Sequence, residues 1–333
     1  MADRDIPGGR VIRATAPGKL MLAGEYVVLE RGLPALAVAI DRRLEVEITA
    51  DSMRRSWCVT SEAIGLKDAP LKQVPVLAEV LARVPGVPQG GRIVVRSELG
   101  AGPGKPGLGG SAALCAAAFA GLWKLVGAQG SPDLDLAIAA HRAAQGGVGS
   151  GYDVATSLSG GVALVYTSNR PTALVEQLSW PEGLHAAIFK AHRGSATAEL
   201  IQKLAAWRDE DLESFEACID PLAAETEAFI AAFRAGDVVE ILDAAAQVQE
   251  ELMTLDRIGE LGILGGGQLQ LLGVIEDHGA IGRTSGAGGG DCAWALTDEP
   301  EIFEGLTREL AKMGFERVDV GLGASGVSVG ETT

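Results

Sequence analysis

Pro106-Gly107-Leu108-Gly109-Gly110-Ser111-Ala112-Ala113 lies a third of the way along the chain and opens a long alanine-rich run. A phosphate requires backbone N–H donors aimed at it, close approach of the chain, and a helix start behind it. Glycines permit the approach. The first turn of a helix supplies unpaired donors and the positive end of the helix dipole. Gly107 to Ser111, followed by a predicted helix over 112–126, offers all three, and Ser111 adds a hydroxyl for a phosphate oxygen or Mg²⁺. That helix contains no proline and stops at Gly127.

Two other phosphate motifs compete for this stretch. A Walker A loop needs G-x-x-x-x-G-K followed by Ser or Thr. Gly104-Lys105 has Leu99 where the first glycine belongs and is followed by Pro106, so it fails. The dinucleotide pattern G-x-G-x-x-G/A is matched by Gly107, Gly109 and Ala112, which leaves a Rossmann oxidoreductase as an alternative. Against it, the loop follows its strand at a distance, and that strand does not begin a βαβ unit. The bland alternative is a tight loop that only starts a helix.

Two further glycine loops flank this one in sequence. Gly146-Gly147-Val148-Gly149-Ser150-Gly151-Tyr152-Asp153 delivers one carboxylate to a predicted helix start over 152–158, where an aspartate is commonly an N-cap. Thr284-Ser285-Gly286-Ala287-Gly288-Gly289-Gly290-Asp291 enters a predicted strand over 292–296. Either could be an ordinary turn.

The surrounding pattern mixes strands with grouped helices. Strands are predicted over 11–16, 36–40, 44–49, 91–98, 161–166, 184–191 and 318–321, with a turn at Pro17-Gly18. Helices are predicted over 71–84, 134–145, 196–207, 212–235, 238–255, 269–278 and 300–313. Pro221 marks a break, and Ser131 with Pro132 a helix start. The fold class expected is α+β. The 333 residues suggest two domains, 1–175 and 176–333, divided in the aperiodic stretch 169–180.

Composition bounds the partners. The chain is 47% hydrophobic and 22% charged, as a folded globular protein is. A net charge of −16 disfavours nucleic acid and anionic membrane surfaces, so a polyanionic substrate would need a local basic pocket. Cys58, Cys115, Cys218 and Cys292 form no C-x-x-C pair, which argues against zinc and disulfides and for a reducing compartment. Met1 to Arg10 has no apolar run, and no segment reaches the roughly 20 apolar residues of a membrane span. A cytoplasmic protein, monomer or homodimer, is expected.

Taken in order, Pro17-Gly18-Lys19 and the three loops resemble the GHMP kinases over residues 14–296. In that family the P-x-x-G-L-G-S-S-A-A loop binds ATP phosphates; here Gly110 replaces the first serine, so the Mg²⁺ role falls to Ser111. Gln145 to Ala155, Ser285 to Cys292 and Ala23-Gly24-Glu25-Tyr26 are similar to the phosphomevalonate kinases of the family, and Arg193-Gly194-Ser195-Ala196-Thr197 more loosely so. The resemblance implies a two-domain fold, with an N-terminal domain like domain 2 of ribosomal protein S5 and a ferredoxin-like C-terminal domain. It implies ATP and Mg²⁺ as cofactors and phosphomevalonate as acceptor, with mevalonate kinase, another GHMP kinase or a non-catalytic ligand sensor as alternatives. It implies catalytic roles for Lys19 and Asp153, paired with each other, and ATP contacts along Lys105, Pro106, Gly107, Leu108, Gly109, Gly110, Ser111 and Ala112. Acceptor contacts would come from Lys19, Ser150, Gly151, Arg193, Ser195, Thr197, Ser285, Gly286, Ala287 and Gly288. Lys105, Arg142, Arg193 and Arg283 are the basic candidates for the acceptor's charges. For His141, beside Arg142, packing or surface is expected.

Overall fold

The structure is a computed structural model that describes residues 10–100, 107–167, 172–191 and 197–332. In chain order its elements are β1 (Val11–Ala23), α1 (Val27–Glu30), β2 (Ala35–Ala50), β3 (Trp57–Ser61), β4 (Leu66–Pro70), α2 (Pro75–Arg83), β5 (Gly91–Ser97), α3 (Gly110–Leu125), α4 (Leu134–Ala144), α5 (Tyr152–Ser159), β6 (Val162–Tyr166), β7 (Leu174–Leu178), β8 (His185–Lys190), α6 (Thr197–Glu210), α7 (Leu212–Ala235), α8 (Val238–Gly259), α9 (Gln268–Asp277), β9 (Ile281–Thr284), β10 (Cys292–Thr297), α10 (Ile302–Lys312), β11 (Glu316–Arg317) and β12 (Ser328–Thr332).

A sheet of eight strands runs β12-β1-β2-β5-β3-β4, with β6 also on β2 and β7 on β6. Every pairing in it is antiparallel except β3 with β5. This is not a doubly wound parallel sheet, so the Rossmann alternative falls. β2 alternates along its second half, with Leu44, Val46 and Ile48 buried between Glu45 and Glu47. Its first half, Ala35 to Ile40, is buried on both faces. α3 is apolar all round, as a helix enclosed on every side must be. It packs on β1 and β2 and is covered by α2, α4 and α5. Its alanines allow that close approach.

A second sheet runs β11-β8-β10-β9, all antiparallel. Alternation splits its side chains between two cores. Ala187, Phe189, Ala293 and Ala295 face α9 and α10 with Leu271, Ile275, Leu306 and Leu310. Ile188, Trp294 and Leu296 join the main core with Phe229, Phe233, Val248 and Leu252 of α7 and α8. The fold class is α+β, as expected.

Several local expectations are corrected. Pro17-Gly18 is not a turn: β1 runs through it, and a register shift between the two residues accommodates a proline that has no N–H to give. The two strands expected over 36–49 are one, β2. α7 continues through Pro221, because its buried stripe of Phe215, Cys218, Ile219, Leu222 and Phe229 packs on both sides of that position. Residues 318–321 form no strand; β11 precedes them. Within the aperiodic stretch 169–180, β7 forms and pairs with β6, and β12 also joins the first sheet. β3, β4 and β9 had no expectation at all.

α4 starts at Asp133, not Ser131, and the Asp133 carboxylate accepts the Leu136 N–H at 3.0 Å. Asp133→Ala should therefore lower stability by about 1 kcal/mol, while Ser131→Ala changes it by less than about 0.5 kcal/mol. Urea unfolding of the two variants checks this; equal effects would return the cap to Ser131.

Candidate active site

Helix starts differ across the molecule. α4, α7 and α8 each begin with an aspartate, Asp133, Asp211 or Asp237, whose carboxylate accepts a first-turn N–H. α3 and α5 begin instead with Gly109 and Gly151 in the left-handed region, with no side-chain cap. Among the described residues no side chain caps the first turn of α3, an arrangement that suits an anion.

The loop before α3 is fixed to β1. The Lys19 N–H donates to the Leu108 carbonyl at 2.9 Å, and Leu108 itself is buried. A Cβ at Gly109 would lie 2.9 Å from Lys19 Cγ, at a φ of +82°. Glycine there lets the lysine stem lie flat on the loop.

Lys19 is 9% exposed. Its ammonium donates to the Tyr152 hydroxyl at 3.1 Å and lies 5.2 Å from the centre of that ring. Burial alone would lower its pKa. The Tyr152 oxygen and the Asp153 and Asp291 carboxylates more than offset this and raise it above the usual lysine value. The lysine stays charged throughout the neutral range. The expected Lys19–Asp153 pair is corrected: Tyr152 takes the direct hydrogen bond, and Asp153 acts at longer range.

Asp153 is the second residue of α5. One carboxylate oxygen accepts the Val154 N–H at 2.9 Å, and the other lies 3.7 Å from His141 Nδ1. His141 is 2% exposed, and its Nε2 lies 3.0 Å from Ser111 Oγ. Its surroundings are polar and link two site residues.

The third loop closes against β1 from the other sheet. Ser285 Oγ accepts the Met21 N–H and donates to the Met21 carbonyl, both at 3.1 Å, and Trp294 Nε1 donates to the same carbonyl at 2.7 Å. The Ser285 hydroxyl is therefore a structural tie. The Tyr26 hydroxyl donates to the Ala287 carbonyl at 2.5 Å. The Gly289 N–H donates to the Ile263 carbonyl, and Ile263 sits in a turn whose N–H groups at 262, 263 and 264 all donate to Asp256. A Cβ at Gly286 would lie 3.7 Å from the Tyr152 hydroxyl, and one at Gly107 would lie 2.7 Å from Asp291 Cγ. All three loops thus meet at Lys19.

Tyr152, His141, Gln145 and Asp291 were missed as site residues. Asp291 and Tyr152 end or follow the glycine runs already quoted, which was the available signal. Of the basic candidates, Arg283 is excluded from ligand contact. Its side chain is 1% exposed and pairs with the equally buried Glu25 at 3.1 Å beneath Phe229. Arg142 braces the second loop, donating to the Gly149 and Ser150 carbonyls at 2.7 Å each. Lys105, Pro106, Arg193 and Ser195 lie outside the described residues, as does the Thr197 side chain; Thr197 begins α6.

Two surface cavities, of about 350 and about 570 Å³, lie elsewhere, one beside Asp41 and Ile188 and one beside Phe303 and Arg308. Neither is lined by Lys19, Ser111 or Asp153.

Charge-assisted bonds of the Arg142 kind each contribute about 1.5–3 kcal/mol. Arg142→Gln should raise hydrogen exchange across residues 147–152 by about tenfold or more, at about 1.4 kcal/mol per decade. Unchanged exchange there would remove Arg142 as the brace.

Residues 72–161 match the family model for the GHMP kinases N terminal domain. The phosphomevalonate kinase of Streptomyces sp. (strain CL190) is 28% identical, over 87% of this chain and 91% of its own length. The mevalonate kinase of Aeropyrum pernix is 29% identical, over 89% of this chain and 92% of its own. Streptococcus pneumoniae phosphomevalonate kinase in complex with phosphomevalonate and AMPPNP superposes with a TM-score of 0.77 at 20% identity, over 93% of this chain and 99% of that one. The last likeness establishes the fold. Residues 72–161 of this chain therefore carry a GHMP kinase N-terminal domain, and over most of its length the chain is similar to phosphomevalonate kinase.

Proposed function

We propose that the protein phosphorylates 5-phosphomevalonate to 5-diphosphomevalonate, a step of isoprenoid precursor synthesis in the cytoplasm. The observation that carries a phosphoryl-transfer reading is the meeting of three glycine loops at a buried, charged lysine beside the uncapped start of α3. The acceptor is supported by the relatives of that name.

The residues fit a magnesium nucleotide. Free backbone donors suit phosphate oxygens, and the Ser111 hydroxyl is a hard oxygen ligand of the kind Mg²⁺ takes. ATP with Mg²⁺ would supply the transferable phosphoryl group and the cation that neutralises its charge. Lys105, Pro106, Gly107, Leu108, Gly109, Gly110, Ser111 and Ala112 would hold the nucleotide, with Ser111 on the metal. Lys19 would stabilise charge on the group in transfer. Asp153 would face the acceptor oxygen.

The acceptor sets what Asp153 must do. A phosphate monoester has a second pKa of about 6, so its oxygen is largely ionised at neutral pH and needs only orientation. An alcohol acceptor would need Asp153 to take its proton. Ser150, Gly151, Arg193, Ser195 and Thr197 would contact the acceptor, with the backbone of Gly286, Ala287 and Gly288. Ser285 would serve them by placing that loop. The same reading proposes two domains, 1–175 and 176–333, with β7 and β12 shared back into the first sheet.

Mevalonate phosphorylation is the second reading, favoured by the Aeropyrum pernix relative. ADP release with mevalonate, phosphomevalonate, diphosphomevalonate, homoserine and galactose separates the readings. Turnover on phosphomevalonate alone is expected. Turnover on mevalonate alone would transfer the assignment to the second reading, and none on any acceptor would favour a ligand sensor.

Lys19→Met and Asp153→Asn should each lower kcat by about 10²–10⁴-fold. ATP binding, read by calorimetry, should persist in both. Near-normal turnover in both variants would remove these roles.

A further inference from the structure

We propose that His141 is a positioning residue that fixes the proton of Ser111, so that this hydroxyl presents both oxygen lone pairs to the cation carried with bound nucleotide. The inference rests on the kinase reading above and adds a residue that reading does not use.

The geometry assigns the imidazole tautomer. His141 Nε2 has two neighbours, Ser111 Oγ at 3.0 Å and the Gln145 amide nitrogen at 3.3 Å. An amide nitrogen only donates. With the Gln145 amide in this orientation, a neutral ring accepts at Nε2 and carries its proton on Nδ1. Nδ1 faces the Asp153 carboxylate at 3.7 Å, where a proton is favoured by charge. Nε2 has one lone pair, and the nearer neighbour takes it: the Ser111 hydroxyl at 3.0 Å donates to it ahead of the Gln145 amide at 3.3 Å. A hydroxyl whose proton is held this way cannot donate to a phosphate oxygen. Both its lone pairs remain for a cation.

The placement matches this role. His141 lies in the last turn of α4 and is buried, and Gln145 follows one turn later. Ser111 is partly exposed at the start of α3. One imidazole therefore connects the nucleotide-side hydroxyl to the acceptor-side carboxylate, and groups that orient a metal ligand in this way tune its affinity.

Two measurements test the proposal on the full chain. In ¹⁵N-imidazole NMR spectra of the wild-type protein, His141 should show a protonated Nδ1 and a bare Nε2; the opposite tautomer would overturn the proposal. In the second, Mn²⁺ binding is titrated by electron paramagnetic resonance with ADP present, alongside calorimetry of ADP without metal. His141→Leu should weaken Mn²⁺ uptake by about tenfold or more while metal-free ADP affinity holds. Gln145→Leu, at an exposed helix end, should weaken it in the same direction and raise the Nε2–H population, which covers a His141 variant that fails to fold. Unchanged Mn²⁺ uptake in the folded variants, or an equal loss of metal-free ADP binding, would leave His141 with packing alone and overturn the proposal. Wild-type protein that binds neither ADP nor Mn²⁺ with ADP would overturn the kinase reading itself, and this proposal with it.

Discussion

The outer edge of β1 is the constraint on which the site depends. Along residues 11–15 that edge is paired by β12. From Lys19 to Met21 it is taken by loops: Leu108 receives the Lys19 N–H, and Ser285 and Trp294 satisfy Met21. Buried backbone groups must find partners, and here the partners are the two loops that form the site walls. The hydrogen bonding that completes a strand also sets the distance between the helix-start loop and the loop from the second sheet. Lys19 lies between them because it belongs to the strand both are bonded to.

Polar groups around this edge are held in pairs. Glu25 and Arg283 neutralise one another inside the protein, at the seam between the two sheets. Such a pair stabilises little, but removing one member leaves an isolated buried charge. Burial pushes the thiols of Cys115 and Cys292 up to about 12, so both stay protonated and take no part in chemistry at neutral pH. The Lys19 charge is likewise maintained from within, by Tyr152, Asp153 and Asp291.

The glycine loops were legible in the sequence because their signal is local: a left-handed glycine before an apolar helix has few other uses. Helices α3 to α5 and α7 to α10 were legible for the same reason. β3, β4, β9 and β12 were not, because a short strand is defined by a partner distant in the chain. Arg142 and Arg283 read as candidate ligands by charge alone, and only packing shows one holding a loop and the other a carboxylate. His141 and Gln145 lie four residues apart on one helix, which was a visible spacing. The Ser111 that gives that spacing meaning comes from another helix, 30 residues away.

The end of the chain has a structural consequence. After β11 the backbone recrosses to the first sheet: Asp41 and Gly161 donate to the carbonyls of Gly321 and Ala324, Val327 donates to Leu158, and β12 pairs with β1. The four-stranded sheet with its helices is therefore an insert, anchored where the chain leaves through β7 and again where it returns through β12. By pairing along residues 11–15, β12 also covers a strand edge of β1 that would otherwise offer its unpaired backbone groups to another chain.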